Sequence, residues 1–305
     1  MKKEFEDYEK CILCPRRCQV NRNEGKRGVC GVDATLKVAR AALHFWEEPC
    51  ISGSNGSGAV FFSGCSMHCV FCQNHDIASG EVGKEISRER LKDIFLELQD
   101  KKANNINLVT AAHYLPHVIW AVEAARREGL TIPIVYNTGG YEEVEMLRRL
   151  EGIVDVYLPD YKYRSEETAR KCAKAPDYPQ IAMEALTEMV RQQPKARFYE
   201  RDGQTLMGRG VILRHLLLPG ELYAARKLLR EVYERFGNRI YYSIMSQYTP
   251  LPQVENDSAL NQRVSESAYE NLVNYATELG IENGFMQDRE VARESFIPHF
   301  DLEGV

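Results

Sequence analysis

The stretch Gly64-Cys65-Ser66-Met67-His68-Cys69-Val70-Phe71-Cys72-Gln73-Asn74 contains three cysteines at the spacing C-x3-C-x2-C. It directly follows the apolar run Ala59-Val60-Phe61-Phe62, which predicts a buried strand. Iron in a four-iron cluster usually takes four cysteine ligands, so a loop with three cysteines leaves one iron open to another molecule. The stretch therefore predicts an open metal cluster at the carboxyl end of a strand, where parallel barrels carry their sites.

A zinc site is the main alternative interpretation of this loop. C-x2-C pairs commonly bind zinc, and either His68 or His75 could supply a fourth ligand. We favour the iron cluster because the preceding strand, the turn at Gly64 and the aromatic Phe71 just before the third cysteine fit the cluster motif together.

This loop resembles the signature of the radical S-adenosylmethionine (radical SAM) superfamily, in which an aromatic residue precedes the third cysteine. The resemblance implies that Cys65, Cys69 and Cys72 hold a 4Fe-4S cluster and that SAM chelates the open iron. It also implies that one electron from the reduced cluster breaks a carbon–sulfur bond of SAM, and that the resulting 5′-deoxyadenosyl radical takes a hydrogen atom from a substrate. A flavodoxin or ferredoxin is implied as the electron donor.

A second group of cysteines, Cys11-x2-Cys14-x3-Cys18-x11-Cys30, lies near the start of the chain. Four thiolates close a metal site, and both tetrahedral zinc and a fully ligated iron–sulfur cluster suit them, zinc being the commoner structural use. Few apolar residues surround this group, so we expect the segment to need its metal to fold. We therefore divide the chain into a cysteine-rich metal-binding segment with a linker (1–58) and a main domain (59–305).

The main domain alternates apolar runs with amphipathic stretches, which is typical of a parallel α/β sheet. The predicted strands are 59–62, 106–110, 132–137, 154–158, 211–217 and 240–245, and the predicted helices are 88–99, 117–129, 142–150, 178–192, 222–236 and 265–279. We expect 196–210 to be an excursion beside the sheet and the C-terminal segment to close it. The resemblance selects a partial (β/α)6 barrel of the radical SAM type over a doubly wound sheet, which periodicity alone does not exclude.

Two strand ends carry candidate cofactor-binding residues. Thr110 and His113 follow the second predicted strand, where the superfamily more often has a Gly-Gly-Glu turn that holds the SAM amino group. That turn is missing here, so the Thr110 hydroxyl and backbone carbonyls are the candidate ligands, while His113 has an equal claim to a structural role. After the sixth strand, Gln247 is a candidate for contact with adenine.

The third and fourth strand ends resemble turns of glycyl-radical-enzyme activating enzymes. Asn137-Thr138-Gly139-Gly140 is similar to their Asp-Thr-Asn-Gly turn, with an amide in place of the acid, and Asp160-Tyr161-Lys162 is similar to their Asp-Leu-Lys. The resemblance offers Lys162 as a cation for the SAM carboxylate and Asp160 as its orienting partner. A strand-end salt bridge is the alternative for that pair.

Composition limits the classes of function. The formal net charge is −5, so the basic surface of a general nucleic-acid binder is absent. Neither a signal-peptide pattern nor an apolar run of membrane-spanning length is found, which predicts a cytoplasmic protein with no membrane partner. Seven of the nine cysteines fall in the two groups with metal-ligand spacing, which also indicates a reducing compartment.

Taken over its length, the chain resembles the pyruvate formate-lyase activating enzyme-like group of the superfamily, in the branch with an N-terminal four-cysteine segment. That resemblance implies an activase that takes hydrogen from a glycine of a glycyl-radical enzyme, or from another protein or peptide. The alternatives are a radical SAM enzyme acting on a small molecule, a peptide or SAM itself, and a non-catalytic metal- or cluster-binding protein. A deep polar pocket beside SAM favours the first alternative, and failure to bind SAM favours the second.

Overall fold

The computed structural model describes residues 5–286 and 298–305. The strands are β1 (Lys37–His44), β2 (Ser57–Phe62), β3 (Lys84–Glu85), β4 (Ile106–Val109), β5 (Ile134–Thr138), β6 (Val156–Pro159), β7 (Arg197–Arg201), β8 (Gln204–Leu216), β9 (Tyr241–Met245) and β10 (Gly284–Met286). The helices are α1 (Pro49–Ser52), α2 (His75–Ala78), α3 (Arg88–Asp100), α4 (Leu115–Arg127), α5 (Val144–Arg148), α6 (Glu166–Ala173), α7 (Tyr178–Gln192), α8 (Leu222–Phe236) and α9 (Glu266–Glu278).

One open sheet contains all of these strands, in the order β10-β9-β8-β6-β5-β4-β2-β1-β3, with β7 paired only to β8. The six predicted strands correspond to β2, β4, β5, β6, β8 and β9, and each is parallel to the next of these six in the sheet. Their order in the sheet follows the chain without reversing, whereas a doubly wound sheet reverses at its switch point. The α/β class and the partial barrel are therefore confirmed.

The predicted helices agree with α3, α4, α5, α7, α8 and α9, and the bounds of α7 and α8 match the sequence periodicity residue for residue. The short, polar α6 is missing from the sequence prediction because eight residues give too little periodicity. In the described part of the chain, no helix combines the length and the apolarity needed to span a membrane.

Residues 36–58, the linker part of the predicted 1–58 segment, form strand and helix instead. Their first part is β1, an antiparallel strand that lies between β2 and β3 and whose Ala42 lies opposite Ala59 of β2. Alanine is a weak strand former, so the stretch Ala39-Arg40-Ala41-Ala42 gives little strand signal even though Ala39, Ala41 and Ala42 are buried in the sheet. The 196–210 excursion is a hairpin of β7 with the start of β8, turning at Asp202-Gly203 with φ of 52° and 75°.

The rest of the predicted linker includes α1, which packs across the amino ends of the central strands. Cys50 and Ile51 are buried in one apolar cluster with Val135, Val156, Leu158, Met207 and Ile212. The side-chain amides of Asn104 and Asn105 donate to the carbonyl oxygens of Ser52 and Ile51, each at 2.7 Å. These contacts anchor α1 and place the preceding residues, Glu47 and Glu48, in the interior of the partial barrel.

The C-terminal segment is described only in part, since Gln287, Phe296 and Ile297 of the predicted closing segment lie outside the described residues. Beyond them, the chain returns to the first strands. The Ala41 N–H donates to the Glu303 carbonyl oxygen at 2.8 Å, and the Phe300 ring packs edge-on against Phe61 at 5.6 Å.

Candidate active site

A cleft opens at the carboxyl ends of the parallel strands, and every candidate residue predicted in the main domain lines it. The residues in question are Cys65, Cys69, Cys72, Thr110, His113, Asn137, Asp160, Lys162 and Gln247. They come from five separate strand ends and are brought together because parallel strands end on the same edge of a sheet. Hereafter "the cleft" denotes this cavity.

The three loop cysteines are packed against the sheet at this edge. Burial and, to a smaller extent, the neighbouring thiolates raise the pKa of the Cys69 thiol and raise that of Cys72 to about 12. The Lys162 ammonium opposes this effect at Cys69, and the Tyr163 hydroxyl donates to Cys69 Sγ at 3.1 Å. Three crowded thiols of this kind become thiolates when a cationic metal group binds them.

The donor set fits a cluster with an open iron better than a zinc ion. Zinc would need a fourth ligand, but the His68 ring donates from Nε2 to the Val29 carbonyl oxygen at 2.6 Å, and His75 pairs with Asp76 at 2.8 Å. Neither histidine lines the cleft. Within residues 5–286 and 298–305, no three His, Cys, Asp or Glu side chains converge closely enough to hold one ion.

Thr110 directly follows β4 and has a φ of 60°, in the left-handed region that a β-branched residue rarely adopts. Its N–H donates to the Asn137 carbonyl oxygen at 2.9 Å, which holds this conformation. Strain of this kind concentrates at functional sites.

His113 is buried, and its Nε2 donates to the Ser63 carbonyl oxygen at 2.8 Å. Burial lowers the pKa of His113 to about 3, so the ring is neutral. The carbonyl oxygen of His113 accepts a hydrogen bond from Arg22 Nη1 at 2.6 Å. His113 thus connects the cleft wall to the N-terminal segment.

Asp160 lies between two cations. Its Oδ2 accepts from Lys162 Nζ at 2.5 Å, and its Oδ1 accepts from Arg214 Nε at 2.9 Å. These cations hold the pKa of Asp160 below its usual value in spite of burial, while the carboxylate keeps Lys162 protonated. The predicted pairing of Asp160 with Lys162 is present, with Arg214 as an additional partner.

Asn137 lies deeper in the cleft and uses both ends of its side chain within the protein. Its Nδ2 donates to Glu47 Oε1 at 3.1 Å, and its Oδ1 accepts from Arg214 Nη2 at 2.6 Å. Gln247, by contrast, makes a single long contact from Nε2 to Met245 Sδ at 3.7 Å. Asn137 is therefore a fixed part of the wall, whereas Gln247 has its amide available to a ligand.

Sequence reasoning missed the acidic part of this site. Glu47 and Glu48 line the cleft, but they lie in the stretch mistaken for a linker. Arg214 and His215 are consecutive on β8, so only one of them can face the cleft. Arg214 lines it, and His215 Nδ1 donates to the Tyr161 carbonyl oxygen at 2.7 Å. If β1 had been recognised from the sequence, Glu47 and Glu48, which follow it, would have been predicted to lie inside the barrel.

The four N-terminal cysteines lie outside the cleft, and no three of their side chains converge closely enough in the described structure to hold one ion. Cys11, Cys14 and Cys30 are buried, and no disulfide joins any of the described cysteines. Burial, with a smaller contribution from the neighbouring Cys30 and Cys11, raises the pKa of Cys14 to about 12. The Val29 N–H donates to Cys18 Sγ at 3.3 Å, as amides do toward thiolate ligands.

Comparison with known proteins bears on the main domain. Residues 59–201, which include the three cysteines, match the family model of the radical SAM superfamily. The uncharacterized protein MJ0674 of Methanocaldococcus jannaschii is 26% identical over 281 residues, which cover 90% of this chain and 76% of that protein.

Two of the solved structures similar to this chain have low sequence identity to it, and the first shares its fold. The FeFe-hydrogenase maturase HydG from Carboxydothermus hydrogenoformans aligns with a TM-score of 0.51 and 13% identity, covering 76% of this chain and 54% of HydG. Streptococcus suis SuiB bound to precursor peptide SuiA aligns with a TM-score of 0.46 and 11% identity, covering 73% of this chain and 46% of SuiB. The chain thus spans about half the length of these two structures.

Proposed function

We propose that this chain is a radical SAM enzyme in which Cys65, Cys69 and Cys72 hold a 4Fe-4S cluster and SAM binds its open iron. When bound, the cluster supplies one electron to SAM, whose 5′-deoxyadenosyl group then takes a hydrogen atom from the substrate. The observation that carries the proposal is that three thiols, and no fourth cysteine among the described residues, line the cleft of a domain that matches the superfamily.

The remaining cleft residues bind and orient SAM, and they exclude water from the cleft. Lys162 is the proposed partner of the SAM carboxylate, and Asp160 holds its ammonium group in place at 2.5 Å. The Tyr163 hydroxyl stabilises the Cys69 thiolate through its hydrogen bond. Thr110 offers its hydroxyl to the SAM amino group, and Gln247 offers its amide to adenine.

For the substrate, resemblance to activating enzymes favours removal of hydrogen from a glycine of a partner protein. The Asn137-Thr138-Gly139-Gly140 turn and the Asp160–Lys162 pair support this assignment. A small polar substrate is the second candidate. It is favoured by the charged side chains Glu47, Glu48 and Arg214, which line the cleft beyond the residues assigned to SAM.

We also propose that Cys11, Cys14, Cys18 and Cys30 hold a second metal group, either zinc or an iron–sulfur cluster. The burial of Cys11, Cys14 and Cys30, the electrostatic effect of these thiols on one another and the amide hydrogen bond to Cys18 support a ligand set. We expect the thiols to converge fully when the metal binds. Four thiolates leave no open position, so this group has a structural or electron-transfer role rather than a substrate-binding one.

Anaerobic reconstitution tests these assignments. The protein is loaded with iron and sulfide, its iron and zinc are counted, and SAM is added with dithionite in place of the proposed flavodoxin or ferredoxin donor. We expect 5′-deoxyadenosine as the nucleoside product. For the N-terminal site we expect the metal count to show either one zinc per chain or the additional iron of a second cluster. Binding of iron without SAM binding or cleavage would instead support the non-catalytic alternative.

A further inference from the structure

The deep part of the cleft is built around the carboxylate of Glu47. Its Oε1 accepts from the side-chain amides of Asn107 and Asn137 at 3.0 and 3.1 Å, and its Oε2 accepts from Arg214 Nη1 at 3.0 Å. Both oxygens of Glu47 are thus satisfied by the protein. The Arg214 guanidinium is equally committed, because it also donates to Asp160 and Asn137.

Glu48, the next residue, is different. Its side chain lines the same cleft and the residue is 6% exposed, yet its buried Oε2 makes no hydrogen bond to any described residue. Ser243 of β9 faces the Glu48 carboxyl closely enough to lower its pKa as a hydrogen-bond partner, which leaves Glu48 Oε2 as the unpaired atom of the side chain that lines the cleft. Buried polar atoms are nearly always paired in proteins, so the unpaired carboxyl oxygen of Glu48 indicates a missing ligand.

The charges of this network leave one negative charge uncompensated. Three carboxyl groups, Glu47, Glu48 and Asp160, face two cations, Arg214 and Lys162. His44 adds no charge, because burial lowers its pKa. Burial and the neighbouring Glu47 raise the pKa of Glu48, and a cationic guest would reverse that effect.

The unpaired oxygen of Glu48 also restricts the chemistry of the guest. Glu48 Oε2 is an acceptor, so the guest must donate a hydrogen bond to it. A carboxylate or phosphate guest would be repelled by Glu47 and Glu48. A single metal ion lacks a ligand set, since no three suitable side chains converge among the described residues.

We infer that Glu48 binds the primary ammonium group of a small-molecule substrate at the deep end of the cleft. This inference rests on the proposed function and names the substrate class of that site. An ammonium donates hydrogen bonds and carries one positive charge, which matches the unpaired Glu48 oxygen and the one uncompensated carboxylate. With the ammonium held there, the carbon chain of the substrate extends toward the cysteine end of the cleft.

Calorimetric titration of the anaerobically reconstituted protein tests the inference with n-butylamine as the probe. At neutral pH butylamine is a cation, butan-1-ol is its neutral analogue and butyrate is its anionic one. We expect butylamine to bind at least about tenfold more tightly than either analogue. We expect Glu48→Gln to remove that preference, and the surface control Glu145→Gln to retain it.

Equal binding of butylamine and butan-1-ol by the unaltered protein would overturn the inference, and this comparison needs no variant to fold. An unchanged butylamine preference in Glu48→Gln would also overturn it. So would competition between butylamine and SAM at equilibrium, because the site would then hold the amino group of SAM itself. The proposed function is measured separately as 5′-deoxyadenosine formed with dithionite, so either one can fail without the other.

Discussion

The backbone N–H of Cys65 donates a hydrogen bond to the carbonyl oxygen of Cys30 at 3.2 Å, which joins the two cysteine groups directly. Further contacts strengthen the junction. Arg16 Nε donates to the Ser66 carbonyl oxygen at 2.9 Å, and the His68 ring donates to that of Val29. The N-terminal segment therefore holds the three-cysteine loop in position.

Gly64→Ala tests this junction. Gly64 has a φ of 91°, and an added Cβ would lie 2.6 Å from the Cys30 carbonyl oxygen. Gly129→Ala is the matched control, with a φ of 106° and no atom within 4 Å of the added Cβ. We expect the control to lose about 1 kcal/mol of unfolding free energy from backbone strain alone. Gly64→Ala should lose more unfolding free energy than the control, measured by urea unfolding, and should also lose iron content, measured by iron assay. Equal losses in the two variants would contradict the close junction.

Cys69→Ala should abolish cluster assembly and SAM cleavage, because the remaining two cysteines of the loop cannot hold the cluster. The control is Cys50→Ala, a buried cysteine at the opposite end of the barrel that does not line the cleft. Iron content, visible absorbance and the yield of 5′-deoxyadenosine are the measurements. An undiminished nucleoside yield from Cys69→Ala would refute the assignment.

Lys162→Ala should weaken SAM binding by roughly tenfold, about 1.4 kcal/mol, because a buried cation opposite a carboxylate is removed. Lys101→Ala, at an exposed position, should leave the affinity unchanged. Equilibrium dialysis with labelled SAM measures both. Unchanged affinity in Lys162→Ala would show that another group holds the carboxylate.

Thr110→Gly should raise stability and lower SAM affinity together. Glycine adopts a φ of 60° without strain, so we expect a gain of up to about 1 kcal/mol in unfolding free energy. Loss of the hydroxyl should weaken SAM binding. Lys174→Gly, at an exposed position with a φ of 51°, should gain stability without that loss. Full SAM affinity in Thr110→Gly would remove Thr110 from the cofactor site.

Acidification should destabilise the fold through His113 and His117. Burial lowers their pKa to about 3 and about 4, against about 6.5 in the unfolded chain. Below pH 6.5 the folded protein therefore binds fewer protons than the unfolded chain. The two neutral histidines contribute their full share of the unfolding free energy above pH 6.5, and this share is lost as the pH falls toward 4. Each histidine contributes a slope of up to about 1.4 kcal/mol per pH unit. His113→Gln should flatten the urea-unfolding profile over that range, whereas the exposed control His75→Gln should not; identical profiles would contradict the prediction.

The strands and long helices were predictable because their apolar periodicity is strong and their packing is regular. The cleft residues that follow a strand end, such as Lys162 and Gln247, were predictable for the same reason. Glu47 and Glu48 were not, because their position depends on the pairing of β1 with β2 and the docking of α1, which are long-range contacts. The junction between Cys30 and Cys65 is likewise invisible to sequence spacing, since 35 positions separate them.

The docking of α1 also sets an order of events. This short helix closes the barrel at the amino ends of its strands, so a molecule bound at Glu48 enters and leaves past the cysteines at the carboxyl ends. Under the proposed function SAM occupies this entrance to the cleft. Loading is then sequential, with substrate first and SAM second, and the substrate stays trapped until the nucleoside departs.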